Sequence, residues 1–296
     1  MKLKGLGEDA VVVALLRGLP AARNVVRGPG DDCAVIGGAR AKTWRLLKTD
    51  CVIEGIHFRS GENAGKIGWK ALARAVSDIA AMGGRPLHAL ITLAISPEEE
   101  MKRAMGIYAG LRKCAEKFGI AIVGGETARS PGPMFISVML DGEVERRACV
   151  FRDGGKPGDR LFVTGRLGGS LSGRHLTFEP RVAEGQWLAR HFPLHAMMDL
   201  SDGLGADLPR LALASGCGYR LEEAALPLHA GCTPGQGISD GEDYELLFAL
   251  PPKSARRLRT RWARKFPRLA LTEIGELTPL PRGKKRKPLH GYDHFA

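Results

Sequence analysis

Acidic residues recur in this sequence at points where a predicted strand meets a turn. Carboxylates that gather in one cleft repel one another unless cations neutralise them. Because these turns offer oxygen ligands without His or Cys partners, the ion that suits them is Mg²⁺. The acids concerned are Asp31 and Asp32, Asp50, Glu126, and Asp199 with Asp202.

A further acid, Asp78, lies on an apolar-rich predicted helix, where a carboxylate needs a partner. Each of these acids also has a simpler interpretation, because Asp beside Gly forms turns and Asp202 can cap a helix. For any single acid we favour the simpler interpretation. Five such sites in one chain favour a metal site.

Magnesium held by carboxylates keeps its other coordination positions for water and phosphate oxygens. The acids therefore predict phosphoryl transfer from a nucleotide. The sequence contains neither a G-x-x-x-x-G-K-[ST] loop nor the H-R-D and D-F-G motifs of protein kinases. The stretch Leu167-Gly168-Gly169-Ser170 is weak evidence for a phosphate loop, because it also fits a flexible turn.

Hydrophobic periodicity predicts that these residues are positioned by a layered fold of the α/β (α+β) class. In the first half the predicted strands are 44–48, 87–95, 120–123 and 135–140, and the predicted helices are 65–82 and a segment from Ser96 to about 118. Ser96, Pro97 and Glu99 suggest a capping box for the second helix. In the second half the predicted strands are 160–164, 196–198 and 245–250, and the predicted helices are 181–191, 201–214 and 253–266.

Length and composition limit the class of protein. The chain has 296 residues, which suits one large domain or two ordinary ones. A run of turn-forming residues at 152–159 places a domain boundary near residue 150. With 44% hydrophobic and 26% charged residues the chain is predicted to fold, and no apolar run approaches the roughly 18 residues that span a bilayer.

The six cysteines are scattered and contain no C-x-x-C pair, which argues against a zinc knuckle or a thioredoxin-type motif. We therefore expect a reduced, cytoplasmic setting.

The basic residues are concentrated in one segment, 253–287. It has thirteen basic and two acidic residues, so it carries +11 of the formal net charge of +12. Two interpretations are open, a solvated helix face with a charged loop or a binding surface for nucleic acid. We favour the first, because the rest of the chain is nearly neutral.

Several motifs together resemble the thiamine-monophosphate kinase family of the aminoimidazole ribonucleotide synthetase-like superfamily. The resemblance extends in order from residue 30 to residue 295. The motifs are Gly30-Asp31-Asp32-Cys33-Ala34, Thr49-Asp50, His57-Phe58, Ser77-Asp78-Ile79-Ala80-Ala81-Met82-Gly83, Gly124-Gly125-Glu126-Thr127, Lys156-Pro157-Gly158-Asp159, Asp199-Leu200-Ser201-Asp202-Gly203-Leu204, Gly241-Glu242-Asp243-Tyr244-Glu245-Leu246 and Gly291-Tyr292-Asp293-His294-Phe295.

The resemblance implies a two-domain fold with mixed sheets flanked by helices. Residues 1–150 would form an N-terminal domain for ATP and Mg²⁺ binding and for dimerisation, and residues 151–296 a C-terminal domain that completes the active-site cleft. The implied reaction converts ATP and thiamine monophosphate into ADP and thiamine diphosphate, with several Mg²⁺ ions, in a homodimer.

The resemblance also assigns roles to individual residues. The implied magnesium ligands are Asp32, Thr49, Asp50, Asp78, Asp199 and Asp202, to which we add Glu126. The implied ATP contacts are Gly125, Glu126, Arg152 and Ser201, and the implied thiamine monophosphate contacts are His57, Glu242 and Tyr292. Asp50, Asp78 and Arg152 would be catalytic. The helix predicted to begin near Ser201 would add backbone donors for phosphate.

Two positions depart from the family pattern. Lys48 stands where the family has a small hydroxyl residue, and Glu126 stands where it has Asp. Lys48 either replaces a cation or points away from the site. We favour the second orientation, because strand alternation then keeps Thr49 facing the site. Glu126 would bind Mg²⁺ with shifted geometry or through water.

Other functions within the same fold are less consistent with the sequence. The last cysteine is Cys232, so the chain lacks the terminal cysteine of hydrogenase maturation proteins, and residues 1–29 lack the glycine-rich segment of selenophosphate synthetases. The remaining alternative is a non-catalytic or altered-specificity nucleotide-binding paralogue associated with nucleic acid. We expect neither a membrane nor a nucleic-acid partner.

Overall fold

The computed structural model describes residues 3, 5–20, 22–280 and 291–292. The chain divides into two compact units. The first unit comprises Asp32–Val150 and Leu171–Phe192. The second comprises the described residues of Met1–Asp31, Phe151–Ser170 and Pro193–Ala296.

Helices and strands alternate along both units, which confirms the predicted α/β class. The helices are α1 Glu8–Leu15, α2 Ala64–Ala81, α3 Met101–Phe118, α4 Val182–His191, α5 Leu204–Ala214, α6 Pro234–Ser239 and α7 Pro252–Lys265. The strands are β1 Val25–Arg27, β2 Ala34–Ile36, β3 Thr43–Ile53, β4 Arg85–Ile95, β5 Ala121–Arg129, β6 Phe135–Glu145, β7 Arg160–Thr164, β8 Ala196–Asp199, β9 Cys217–Leu221, β10 Leu246–Leu250 and β11 Leu271–Pro279. Within the described residues, no helix is long and apolar enough to cross a membrane.

The first unit contains a mixed sheet with the strand order β2-β3-β6-β4-β5. Strands β4 and β5 are parallel, and the other neighbours are antiparallel. Helix α2 packs against β3 and β6, and α3 packs against α2. Period-2 alternation therefore buries Leu46 and Ile91, whereas Leu47 and Leu90 on the opposite face are exposed.

Helix α2 has more buried residues than the other helices of the first unit. Its N-terminus is capped by Asn63, whose side chain accepts a hydrogen bond from the backbone N–H of Lys66. The helix ends before Gly83, which has a φ of 72° that favours glycine. From Ile67 onwards almost every residue is buried, including two charged residues, Lys70 and Asp78.

The backbones of α2 and α3 approach each other at glycines. A Cβ at Gly68 would lie 1.9 Å from the carbonyl oxygen of Ile107, and a Cβ at Gly110 would lie 1.9 Å from that of Gly65. Only glycine allows the two helices to pack at this distance.

The second unit contains an antiparallel sheet with the strand order β8-β10-β7-β11-β9. Helix α5 packs against β8 and β9. Leu208 and Leu211 of α5 belong to a buried cluster with Val163 of β7 and Leu247 of β10. The cluster holds β8, and therefore Asp199 at its end, in place.

The units are discontinuous, unlike the two continuous domains that we predicted. A break falls at Val150/Phe151, near the predicted boundary, but Leu171–Phe192 belongs to the first unit. The Trp69 indole N–H donates to the carbonyl of Phe178 at 2.8 Å, and Lys117 pairs with Glu179 at 2.7 Å. These contacts join residues that are distant in sequence, so no local pattern predicts them.

The start of α3 differs from the prediction. The helix begins at Met101, because the Ser96 hydroxyl accepts the N–H of Glu98 in a separate turn and Glu100 has an extended backbone. The capping box at Ser96 and Glu99 was therefore wrong.

Helix α5 also begins later than predicted. Its first residue is Leu204, because Gly203 has a φ of 96° and a ψ of 154°, which no helical residue adopts. Ser201 therefore lies before the helix.

The basic helix α7 buries one narrow face and exposes its cations. Leu258 and Trp262 are buried, and the Trp262 indole donates to the carbonyl of Leu269 at 2.8 Å. The exposed cations fit the favoured interpretation of a solvated face, and the basic residues Arg282 to Lys287 lie outside the described residues.

Gly68→Ala tests the close approach of α2 and α3. Although alanine favours a helix by about 1 kcal/mol, the clash should lower the free energy of unfolding by about 2 kcal/mol. Gly61→Ala is the matched control, because a Cβ there meets nothing within 4 Å. Chemical denaturation of both variants measures the difference, and equal midpoints would contradict the packing described.

Candidate functional site

Two buried carboxylates of the first unit lie side by side. Asp32 is 4% exposed and Asp78 is 7% exposed, and they place one oxygen each within 4.8 Å of the other. The turn that carries Asp32 is fastened to α2, because the N–H of Cys33 donates to the sulfur of Met82 at 3.2 Å. Two buried negative charges at this separation require cations.

Lys48 supplies one positive charge to this pair. Its Nζ donates to Oδ1 of Asp78 at 2.8 Å. Burial alone would lower the pKa of Lys48, but the carboxylates of Asp78 and Asp50 outweigh burial and raise it above its ordinary value. Lys48 is therefore charged over the whole physiological range.

The favoured orientation of Lys48 was wrong. Strand β3 alternates as expected, but the face that it turns towards α2 carries Leu46, Lys48 and Asp50. Thr49 is exposed on the opposite face with Leu47. The structure therefore does not bring the Thr49 side chain to Asp78.

Asp50 has its own cation. Its Oδ1 lies 3.3 Å from Nη2 of Arg74 on α2 and accepts the N–H of Cys51 at 2.8 Å. Arg74 also donates to the carbonyl of Cys51 at 2.8 Å. This contact fixes the end of β3 against α2.

Gly125 and Glu126 lie on β5, at the edge of the sheet. A Cβ at Gly125 would lie 1.8 Å from the carbonyl oxygen of Ile91, so only glycine allows β5 to approach β4 this closely. Glu126 is exposed, and its carboxylate accepts the N–H of Thr127 at 3.1 Å. Glu126 is not part of the buried pair.

His57 is held by a buried lysine that sequence reasoning missed. Nζ of Lys70, which is 0% exposed, donates to the carbonyl oxygen of His57 at 2.6 Å and lies 2.8 Å from Nδ1 of His175. An ammonium can only donate, so Nδ1 of His175 is the acceptor. The available signal was a lysine on the apolar face of a predicted helix.

The second unit has its own acidic group after β8. Asp199 is 3% exposed and pairs in register with Leu246 of β10. Asp202 is paired with Arg210, and its N–H donates to Oδ2 of the buried Asp207 at 3.1 Å. Burial and, after it, the Asp202 carboxylate raise the pKa of Asp207, which Arg210 partly offsets.

A strained loop lies beside these acids. Glu242 and Tyr244 have φ values of 52° and 51°, a region that ordinary side chains avoid. The loop is held at both ends, since the N–H of Glu242 donates to the carbonyl of Ser201 at 2.7 Å and that of Tyr244 donates to Leu200 at 2.8 Å. Strain of this kind persists where the surrounding structure imposes it.

The glycine stretch at 167–170 fixes the same loop. The N–H of Gly168 donates to Asp243 at 3.1 Å, and the N–H of Gly169 donates to Asp240 at 2.7 Å. The backbone N–H groups of this stretch thus bind carboxylates. This contact accounts for the glycines without a bound phosphate.

The backbone N–H groups of Tyr292 and Arg152 also form hydrogen bonds that fix these two residues. The N–H of Tyr292 donates to the carbonyl of Asp202 at 2.9 Å, and residues 293–295 of its motif lie outside the described residues. The N–H of Arg152 donates to Oδ2 of Asp31 at 3.3 Å, and its Nε lies 3.7 Å from Oδ1 of that residue. Asp31 therefore anchors Arg152.

The chain matches two family models, "AIR synthase related protein, N-terminal domain" over residues 30–144 and "AIR synthase related protein, C-terminal domain" over residues 156–286. It is 40% identical to the thiamine-monophosphate kinase of Rhodopirellula baltica, over 86% of this chain and 84% of that protein. It is 33% identical to that of Aquifex aeolicus, over 100% of both chains.

Two solved structures resemble this chain closely. One is AaThiL complexed with AMPPCP and TMP, with a TM-score of 0.85, 33% identity, and coverage of 100% of this chain and 99% of that chain. The other is thiamine-monophosphate kinase from Stenotrophomonas maltophilia K279a, with a TM-score of 0.74, 30% identity, and coverage of 92% and 93%. These matches confirm the two-domain fold with mixed sheets flanked by helices.

Lys70→Met tests the buried contact to His57. The change leaves a buried carbonyl without its charged donor, which should lower the free energy of unfolding by about 1–3 kcal/mol. Lys66→Met, at an exposed position of the same helix, is the control and should be neutral. Denaturation midpoints measure both, and a Lys70→Met variant as stable as the control would contradict this role.

Proposed function

Because the chain belongs to the thiamine-monophosphate kinase family, we propose that it transfers the γ-phosphoryl group of ATP to the phosphate of thiamine monophosphate, forming ADP and thiamine diphosphate. The observation that carries this proposal is the full-length similarity to AaThiL, whose structure holds AMPPCP, an ATP analogue, and TMP. The buried carboxylates supply the chemistry that such a reaction needs.

Magnesium ions belong to the proposal. The donor set fits Mg²⁺, because Asp32 and Asp78 offer buried carboxylate oxygens and the group of possible ligands found among the described residues contains no His or Cys. Asp50, Asp199 and Asp202 are further candidates. Three of the candidate acids already face a cation, namely Asp78 with Lys48, Asp50 with Arg74 and Asp202 with Arg210. When bound, Mg²⁺ would neutralise phosphate charge and act as a Lewis acid.

The residues of the chain have mainly a positioning role in this proposal. The acceptor is a phosphate, so no side chain has to remove a proton from it. The difficulty is the repulsion between two polyanions, which Arg152 would reduce from the position in which Asp31 holds it. No covalent phosphoenzyme is needed.

We assign the remaining residues by their motifs. Gly125 and Ser201 would contact ATP, and His57, Glu242 and Tyr292 would contact thiamine monophosphate. Glu126 would act on a bound cation through water, since its carboxylate is exposed on β5.

The open face of the first sheet supports a homodimer. Leu47 on β3 and Leu90 on β4 are 36% and 43% exposed on the face that does not contact α2. Apolar side chains on one sheet face favour association. We propose that two copies of the chain pair through this face.

The state of the cysteines supports a cytoplasmic location. All six cysteines are free thiols, as expected for a protein that works in a reducing compartment. We propose that this compartment is the cytoplasm.

A coupled assay for ADP release, run with and without thiamine monophosphate, tests the activity. Asp32→Asn should reduce kcat by roughly a hundredfold or more, since it removes one carboxylate from the proposed metal site. Glu116→Gln, an exposed change on α3, is the control. ADP release that ignores thiamine monophosphate would favour the non-catalytic or altered-specificity alternative, and full activity of Asp32→Asn at limiting Mg²⁺ would contradict the site.

Leu90→Glu tests the dimer. Light scattering after size-exclusion chromatography should give the wild type twice the chain mass of 31.9 kDa and the variant a single chain mass. In a dimer of the variant, the carboxylate introduced at position 90 would be buried in the interface, which opposes association. Met105→Glu, at a 61% exposed position on α3, should remain dimeric. A monomeric wild type would rule out this proposal.

A further inference from the structure

We propose that Lys48 is a built-in cation of the carboxylate group in the first unit, holding the place at Asp78 that a metal ion would otherwise take. The chain would then bind one Mg²⁺ fewer at these carboxylates than the same backbone with a neutral side chain at position 48. This inference rests on the proposed function, because that proposal makes Asp32 and Asp78 metal ligands.

The backbone directs Lys48 to this place. Residue 48 lies between Leu46 and Asp50 on the face of β3 that packs against α2, and its neighbour in β6 is Leu140, which is fully buried. The lysine side chain is 24% exposed and that of Asp78 is 10% exposed. The ammonium therefore meets Asp78 in a largely dehydrated setting.

The local charge balance defines the consequence. Among the described residues, Lys48 contacts Asp78, which lies beside Asp32, and Arg74 contacts Asp50. A neutral residue at position 48 would make this group of carboxylates more negative by one charge. Because a divalent ion is attracted in proportion to the charge it meets, Lys48 weakens Mg²⁺ binding at Asp78.

An ammonium and a magnesium ion act differently at the same carboxylate. Lys48 is covalently attached, so it neutralises Asp78 at any Mg²⁺ concentration and loses no translational freedom in doing so. It carries one charge rather than two and cannot coordinate several oxygens at once. The metal-free protein should therefore be well neutralised, and Mg²⁺ alone should stabilise it little.

The test uses Lys48→Met, which keeps the length of the side chain and removes its charge. Calorimetric titration with MgCl₂ in the absence of nucleotide should show one additional ion per chain and binding tighter by on the order of tenfold. The melting temperature in EDTA should fall, and Mg²⁺ should restore it. Lys113→Met, at an exposed position of α3, is the control and should titrate like the wild type.

Two further variants keep the test decisive. Lys48→Arg retains the charge and should titrate like the wild type. The double variant Lys48→Met/Asp78→Asn removes both members of the pair, so it should fold and should not gain the extra ion. If Lys48→Met is too unstable to titrate, the double variant is compared with the wild type. A double variant that binds one Mg²⁺ fewer than the wild type would overturn the proposal, because Asp78 would then bind an ion in the wild type. Equal Mg²⁺ stoichiometry in Lys48→Met and in the wild type would also overturn it.

The outcome is independent of the kinase assay. The titration measures metal binding without nucleotide, so a protein that fails to phosphorylate thiamine monophosphate can still show the predicted gain. Conversely, if the wild type is active and Lys48→Met binds no additional Mg²⁺, the role proposed for Lys48 is refuted and the proposed function is not.

Discussion

The first unit depends on the burial of a negative charge in α2. Asp78 lies on a helix that is buried almost throughout from Ile67, and moving a carboxylate from water into such a setting is unfavourable without compensation. Lys48 provides that compensation from β3, so the strand and the helix are joined by charge as well as by apolar contact. Breaking such a pair by removing one partner typically costs about 3–5 kcal/mol.

The same helix carries a buried charge of opposite sign eight positions earlier. Hydrogen bonds to the carbonyl of His57 and to the ring of His175 stabilise Lys70 in this position. Two residues before Lys70, Gly68 allows α3 to pack directly on the helix backbone. Helix α2 is therefore held at three points along its length, which suits an element that must present two different groups in fixed positions.

The sequence allowed much of this to be predicted, for reasons that are local. Periodicity located α2 and β7 to within one residue, and Asp199 lies at the end of β8 as expected. The expected turns at Asp50 and Glu126 were wrong, because β3 and β5 continue past these residues. What failed depended on distant contacts. Alternation separates Lys48 from Thr49 but does not say which face a helix will cover, and nothing near Trp69 indicates that Phe178 will join it. Lys70 was overlooked because a buried lysine has meaning only once its acceptors are known.

The exchange of a metal ion for an ammonium has a chemical cost as well as an advantage. A tethered charge neutralises Asp78 when Mg²⁺ is scarce, which a dissociable ion cannot do. A single ammonium, however, offers only hydrogen bonds, whereas Mg²⁺ can coordinate oxygens of a carboxylate and of a phosphate together. With Asp78 engaged by Lys48, the coordination of phosphate must rely more heavily on the other carboxylates and on Arg152. The departure at position 48 is therefore expected to change how positive charge is distributed around the phosphates of the substrates. It is not expected to change the reaction.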